Sequence, residues 1–180
     1  FNMRRIYIIL AFLMLAINAD AQTNFYLSSG GTISNTSSWG TNTDGSGTNP
    51  TDFTSANQIF NIMNNSSVTE SSAWTVSGSG SRVIFGDGTN AITVTFSSTF
   101  TASTAGMVDV SSDATLVLNE TSSVGFGTLS SGSTVNYGRS GDQTISAATY
   151  SNLTTSGSGI KSLGGNVTVS GTLTLNATLN

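Results

Sequence analysis

The chain has 180 residues, with 5 Lys and Arg against 9 Asp and Glu and a formal net charge of −4. Ser (31), Thr (28), Asn (17) and Gly (20) supply more than half of it, and only 8% of residues are charged, where globular domains carry roughly 25%. The chain has no His and no Cys, which excludes zinc centres, thiol nucleophiles, disulfides and histidine bases. No cofactor is expected. Its few scattered cations do not form the basic patch of a nucleic-acid binder.

The N-terminus reads as a secretory signal over residues 1–21. Met3 is the expected start. Arg4-Arg5 is a positive n-region, and Ile6 to Ile17 is an apolar run. Ala19 and Ala21 are the small residues that place cleavage after Ala21. The run is shorter than the roughly 20 residues that span a bilayer, so no membrane span is expected in the mature chain. That chain begins at Gln22 and keeps three cations and eight anions.

Residues 22–105 read as an aromatic-rich β segment that caps the rest of the chain. Trp39 and Trp74 lie here, with a breaker-rich loop from Gly40 to Pro50. Strand-like pieces are Gln58–Ile62, Ala73–Val76, Arg82–Phe85 and Ala91–Phe96. A stack of strands needs such a cap, because its end strand presents unpaired N–H and C=O groups.

From about Gly106 to Asn180 the apolar residues alternate. Val108-x-Val110, Leu116-x-Leu118 and Val124-x-Phe126 succeed one another at eight-residue spacing. Val135-x-Tyr137, Ile145, Leu153, Val167-x-Val169 and Leu173-x-Leu175 continue the pattern. Period two puts these side chains on one face of short strands, with polar neighbours such as Asp109, Thr168 and Thr174 facing water. Ser, Gly, Asn and Asp turn the chain between them. A β-sandwich and a β-solenoid both fit short, evenly spaced strands. The absence of tight hairpin signals favours the solenoid. Three doublets at eight-residue spacing predict a coil of about 24 residues. The fold class is thus all-β, a parallel β-helix-like solenoid with an aromatic-rich cap, its C-terminal repeats expected to be truncated.

The stretch Thr149-Tyr150-Ser151-Asn152-Leu153 through Ser156-Gly157-Ser158-Gly159-Ile160-Lys161-Ser162-Leu163 resembles a repeat of large secreted adhesin-like proteins of Bacteroidetes-type bacteria. Asp142-Gln143-Thr144-Ile145 before it and Asn166-Val167-Thr168-Val169 after it extend the likeness. So do Trp39, Asp44 to Gly47, Pro50 to Phe53, Trp74 to Gly78 and Gly86 to Thr89. The resemblance implies a surface or secreted β-solenoid exported across two membranes by a type IX route. Its motifs are structural; the absence of His and the sparse acids are what favour a non-catalytic stalk or adhesin, with surface glycans or other cell-surface proteins as the expected partners.

Chemistry-bearing residues are few. Asp44 and Asp87 sit in Gly-rich turns, each offering one carboxylate where calcium wants six to eight oxygens. Asp109 and Asp113 are the nearest approach to a pair of acids; Asp87 and Asp142 complete the set that folding could bring together. Arg82 and Arg139 lack a neighbouring acid cluster. Among the aromatics, Trp39 is the candidate for stacking on a sugar. The Thr-x-Thr pairs at Thr93/Thr95, Thr99/Thr101 and Thr172/Thr174 do not recur at one coil period, so they need not align, and outward Thr on a strand is the default reading. Sequons at Asn35, Asn65 and Asn166 arise from composition. The alternatives to a structural role are a carbohydrate-binding module or the N-terminal part of a β-helix polysaccharide-degrading enzyme.

Overall fold

A computed structural model describes residues 21–180, so the apolar run and Ala19 of the proposed signal lie outside the described residues. The strands are two to five residues long, rich in Thr, aliphatic and aromatic residues, and separated by turns rich in Ser, Gly and Asn. β1 (Thr23–Leu27) starts the first coil, and β2 (Trp39–Gly40) pairs antiparallel along its edge. β3 (Gln58–Ile62), β4 (Ser67–Glu70) and β5 (Trp74–Thr75) form the next coil. β6 (Arg82–Phe85), β7 (Ile92–Phe96) and β8 (Phe100–Ala102) repeat it, as do β9 (Val108–Val110), β10 (Ala114–Leu118) and β11 (Ser123–Val124). Three further coils complete the stack. They are β12 (Phe126–Leu129), β13 (Thr134–Tyr137) and β14 (Gln143–Ile145); β15 (Ala148–Tyr150), β16 (Asn152–Thr155) and β17 (Ile160–Leu163); and β18 (Val167–Val169), β19 (Leu173–Leu175) and β20 (Thr178–Leu179).

Like strands stack in parallel, which makes the molecule a β-solenoid. β1, β3, β6, β9 and β12 form one face, and β4, β7, β10, β13, β16 and β19 a second. The third strand of each coil belongs to β5–β8–β11 or to β14–β17–β20. Parallel pairing begins at Thr23, and β6 pairs with β9 across residues 105/106. The compositional change there is therefore not a break in the ladder. The aromatic segment supplies both the cap and the first coils.

Coil length is not constant. Val68 pairs with Val94, 26 positions on, whereas Val135 pairs with Leu153, 18 on. The 24-residue coil expected for the second half is thus corrected to 18–20. Val124-x-Phe126 is not one strand: Val124 ends β11 and Phe126 begins β12. Gly125 makes the corner between them, where a Cβ would collide with the Thr104 carbonyl.

The interior is a set of axial ladders. Val68, Val94, Leu116, Val135 and Leu153 stack in register along the second face, each at most 8% exposed. Leu173 continues that ladder yet is 45% exposed, its strand being the end one of the sheet among the described residues. Val108, Val110, Leu118, Val124, Tyr137 and Ile145 are buried as expected; Phe126, Val167 and Val169 are half-buried, and Leu175 is exposed.

At the other end the aromatics close the core. Trp39 stacks on Trp74 (centroids 5.9 Å apart), and Trp74 stacks on Phe100 (5.3 Å). Phe53 and Phe60 meet Trp74 edge-on. A short 3-10 turn, Thr36–Ser38, delivers Trp39 into this cluster; Asn35 caps it by accepting the Ser37 N–H.

Candidate functional site

Most of the candidate acids are tied up in hydrogen bonds or ion pairs of the fold. The Asp87 carboxylate accepts the N–H groups of Asn90 and Thr89, both at 2.8 Å, within its own turn. These bonds hold its pKa well below the usual carboxylate range. Asp52 does the same for Ser55 (2.6 Å) and Thr54 (2.7 Å), which lowers its pKa to about 2. Asp44 is lowered by bonding to the Ser46 hydroxyl and N–H. Asp142 accepts the Ile160 N–H one coil on, at 2.8 Å. Asp113 sits in a turn at φ +61°. Among the described residues, no three Asp or Glu side chains are grouped as metal ligands would be.

Asp109 departs from the sequence expectation. It does not face open water: it is 8% exposed, ion-paired with Arg82, and accepts the Thr128 N–H at 2.6 Å. Ile84 and Asp109 are cross-strand partners, so Asp109 lies on the outward side of the first face, where Arg82 covers it. Arg139 similarly meets Glu120 at 3.3 Å. Each arginine thus has one acid partner rather than a cluster. Partly exposed pairs of this kind contribute roughly 0–1 kcal/mol.

The sugar-stacking expectation for Trp39 is corrected by its burial. The residue is 0% exposed, its rings pack against Trp74 and Phe60, and its Nε1–H donates to the Ile33 carbonyl at 2.8 Å. An indole with both faces covered offers nothing to a sugar. Trp74, Tyr137 and Tyr150 are buried too. The clefts beside Gly157–Gly159 and Leu175–Thr178, and beside Gly80–Arg82 and Thr104–Met107, are lined without a carboxylate.

Lys161 is a charged group that sequence reasoning passed over. It is 0% exposed, and its three ammonium hydrogens match three backbone acceptors: Arg139 O (2.7 Å), Gly141 O (2.9 Å) and Ser158 O (2.9 Å). It holds the corners of adjacent coils together. The Ser-Gly-Ser-Gly run before it was the available signal, since the corner exposes carbonyls that only a long donor can satisfy.

The second face carries the most regular surface. Ser67, Thr93, Thr115, Thr134 and Asn152 are in register, as are Thr69, Thr95, Val117, Asn136, Thr154 and Thr174. Single threonines from successive strands therefore stack, whereas the Thr-x-Thr pairs themselves do not: Thr93/Thr95 lies on β7, Thr101 is on β8 in another sheet, and Thr174 joins the Thr95 column on β19. Coils of unequal length keep the columns in register by putting the extra residues in the turns. No outward residue of these columns is charged.

No family model matches the chain, nor does any curated protein or solved structure.

Proposed function

We propose that this chain is a non-catalytic, secreted or cell-surface protein of the bacterial adhesin or stalk type, using its β-solenoid as an extended spacer. The observation that carries this reading is the in-register stack of parallel strands from Thr23 to Leu179 around an apolar interior. Such a stack gives length and stiffness without depending on any one residue, since each coil contacts mainly its neighbours. The charge-poor exterior of Ser, Thr and Asn suits a rod that holds loops away from a surface. The largely exposed loop over 41–49 and the turn over 87–90 are elements available for contacting surface glycans or other cell-surface proteins. The signal-like N-terminus and the adhesin-like repeat both support export. No described helix is long and apolar enough to cross a membrane.

Protein recovered from the surface or medium of producing cells tests this reading. N-terminal sequencing is expected to begin at Gln22, and surface protease treatment should remove the protein from intact cells. Intracellular protein retaining Arg4-Arg5 would overturn it. A panel of plant and algal polysaccharides tests the catalytic alternative, with no oligosaccharide release expected.

A further inference from the structure

The outward columns of the second face form an in-register, uncharged grid on a ladder of parallel strands. Parallel strands fix the spacing along each column at about 4.8 Å, and residues two apart on one strand stand about 6.7 Å apart. Both spacings lie close to oxygen repeats on the surface of an ice crystal. We propose that this face binds ice, through Thr93, Thr95, Thr115, Val117 and Thr134 on β7, β10 and β13. The assignment does not rest on secretion or adhesion.

Three features of the face fit that ligand. The first is chemical: each threonine offers a hydroxyl that joins a water lattice and a methyl that sits between lattice waters. The threonine hydroxyls that bond within the described residues belong to Thr41, Thr51, Thr54, Thr89 and Thr155, none of which is in the grid. Val117 keeps the methyl at its position.

The second is rigidity. β-branched side chains have few rotamers, so holding them against a lattice costs little entropy. The ladder beneath them is fixed by buried Val94, Leu116 and Val135. The third is what the face lacks. It presents no charge that would hold its own hydration shell, and no aromatic ring on which a sugar could stack; the tryptophans of the chain are both buried. An ordered array of water fits it better than a glycan does.

The grid loosens toward β16. The Asn136 Oδ1 accepts the Ser156 hydroxyl at 2.8 Å, and the Asn152 side chain is tied to Thr172 N (2.9 Å) and Ser133 O (3.0 Å). The binding patch is therefore centred on β10.

Partition of the purified chain into a slowly growing ice hemisphere, with an assay of ice recrystallisation, tests the proposal. The chain is expected to enter the ice and to slow recrystallisation at micromolar concentration. Thr115→Lys and Thr95→Lys each put a charge in the patch and should weaken both effects at least tenfold. Thr101→Lys, on the β8 strand of another face, should leave them unchanged. Far-UV circular dichroism and melting temperature identify any variant that has lost its fold, and the remaining patch variant then decides. Exclusion of the unmodified chain from ice would overturn the proposal, as would equal activity in a folded patch variant and the Thr101 variant. Retention on insoluble chitin or cellulose that Thr115→Lys abolishes, with no effect on ice, would reassign the face to a polysaccharide.

Discussion

Tyr137 and Tyr150 meet hydroxyl to hydroxyl, 2.9 Å apart, in the interior of adjacent coils. The Tyr150 hydroxyl donates to the Ser146 carbonyl at 2.7 Å, and the Ser146 N–H donates to the Tyr137 oxygen at 3.0 Å. Because Tyr150 spends its one hydrogen on Ser146, Tyr137 donates to Tyr150, and the three groups close a cycle. Burial pushes both phenols above the ordinary tyrosine range, so the cycle stays protonated in neutral solution.

Cutting that cycle should cost more than one exposed hydrogen bond. Tyr150→Phe leaves the Ser146 carbonyl without this donor and Tyr137 without its acceptor. Leaving a buried polar group unpaired costs about 1–3 kcal/mol. Urea unfolding should show a loss of that order for Tyr150→Phe. A change below measurement error would mean that water replaces the lost partner.

The axial ladder predicts a gradient of sensitivity. Leu116→Ala removes a side chain enclosed by coils on both sides and should destabilise by about 2–5 kcal/mol. Leu173→Ala changes the same ladder where it is 45% exposed, and should cost less than half as much. Leu116→Asp should prevent folding, since it buries an unpaired charge. Denaturant midpoints of the two alanine variants give the comparison; equal losses would refute the ladder account.

The period-two alternation made the strands and much of the core legible in the sequence. Val108, Leu116, Val135 and Leu153 are buried as their spacing indicates. Coil length was not legible, because Val124 and Phe126 look like one strand although Gly125 turns the chain between them. The aligned threonines were hidden for a related reason: register is set by pairing across coils, while sequence spacing also counts turn residues. Asp109 misled because alternation assigns it a side of the strand but not what covers that side. Arg82 lies 27 positions away and reaches it only through the stack. Trp39 was ambiguous because a tryptophan beside a loop reads alike as a cap or as a platform.

The turn carboxylates make the fold sensitive to acid. Asp52 titrates at about 2 in the folded chain against an ordinary value of 3.8, and Asp87 is lowered further. Between those values the unfolded chain binds more protons, so stability falls as pH falls. The contribution is fully present above about pH 4 and is lost progressively toward pH 2 and below. Asp52→Asn should lower the melting temperature at pH 7 and flatten its decline between pH 4 and pH 2. A decline as steep as that of the unmodified chain would place the acid sensitivity elsewhere.

Glu70 joins the cap to the first complete coil, and its loss should open the cap before the rod. Its carboxylate is 1% exposed and lies in the ladder position occupied by Phe96 in the next coil. It accepts the Ser34 N–H (2.8 Å) and hydroxyl (3.2 Å) from the cap, and the Ser72 N–H (2.8 Å) from its own turn. A carboxylate has acceptor capacity for all three donors. Gln has one acceptor oxygen and sets an NH2 group against donors, so Glu70→Gln should cost about 1–3 kcal/mol. The loss should be local, because a stack of coils opens from its ends. Amide exchange should quicken over residues 28–40, and Trp39 emission should shift to longer wavelength as its stacking on Trp74 loosens. Protection of residues 92–118 should stay near that of the unmodified chain. Uniform loss of protection along the whole stack would show instead that cap and rod unfold as one unit.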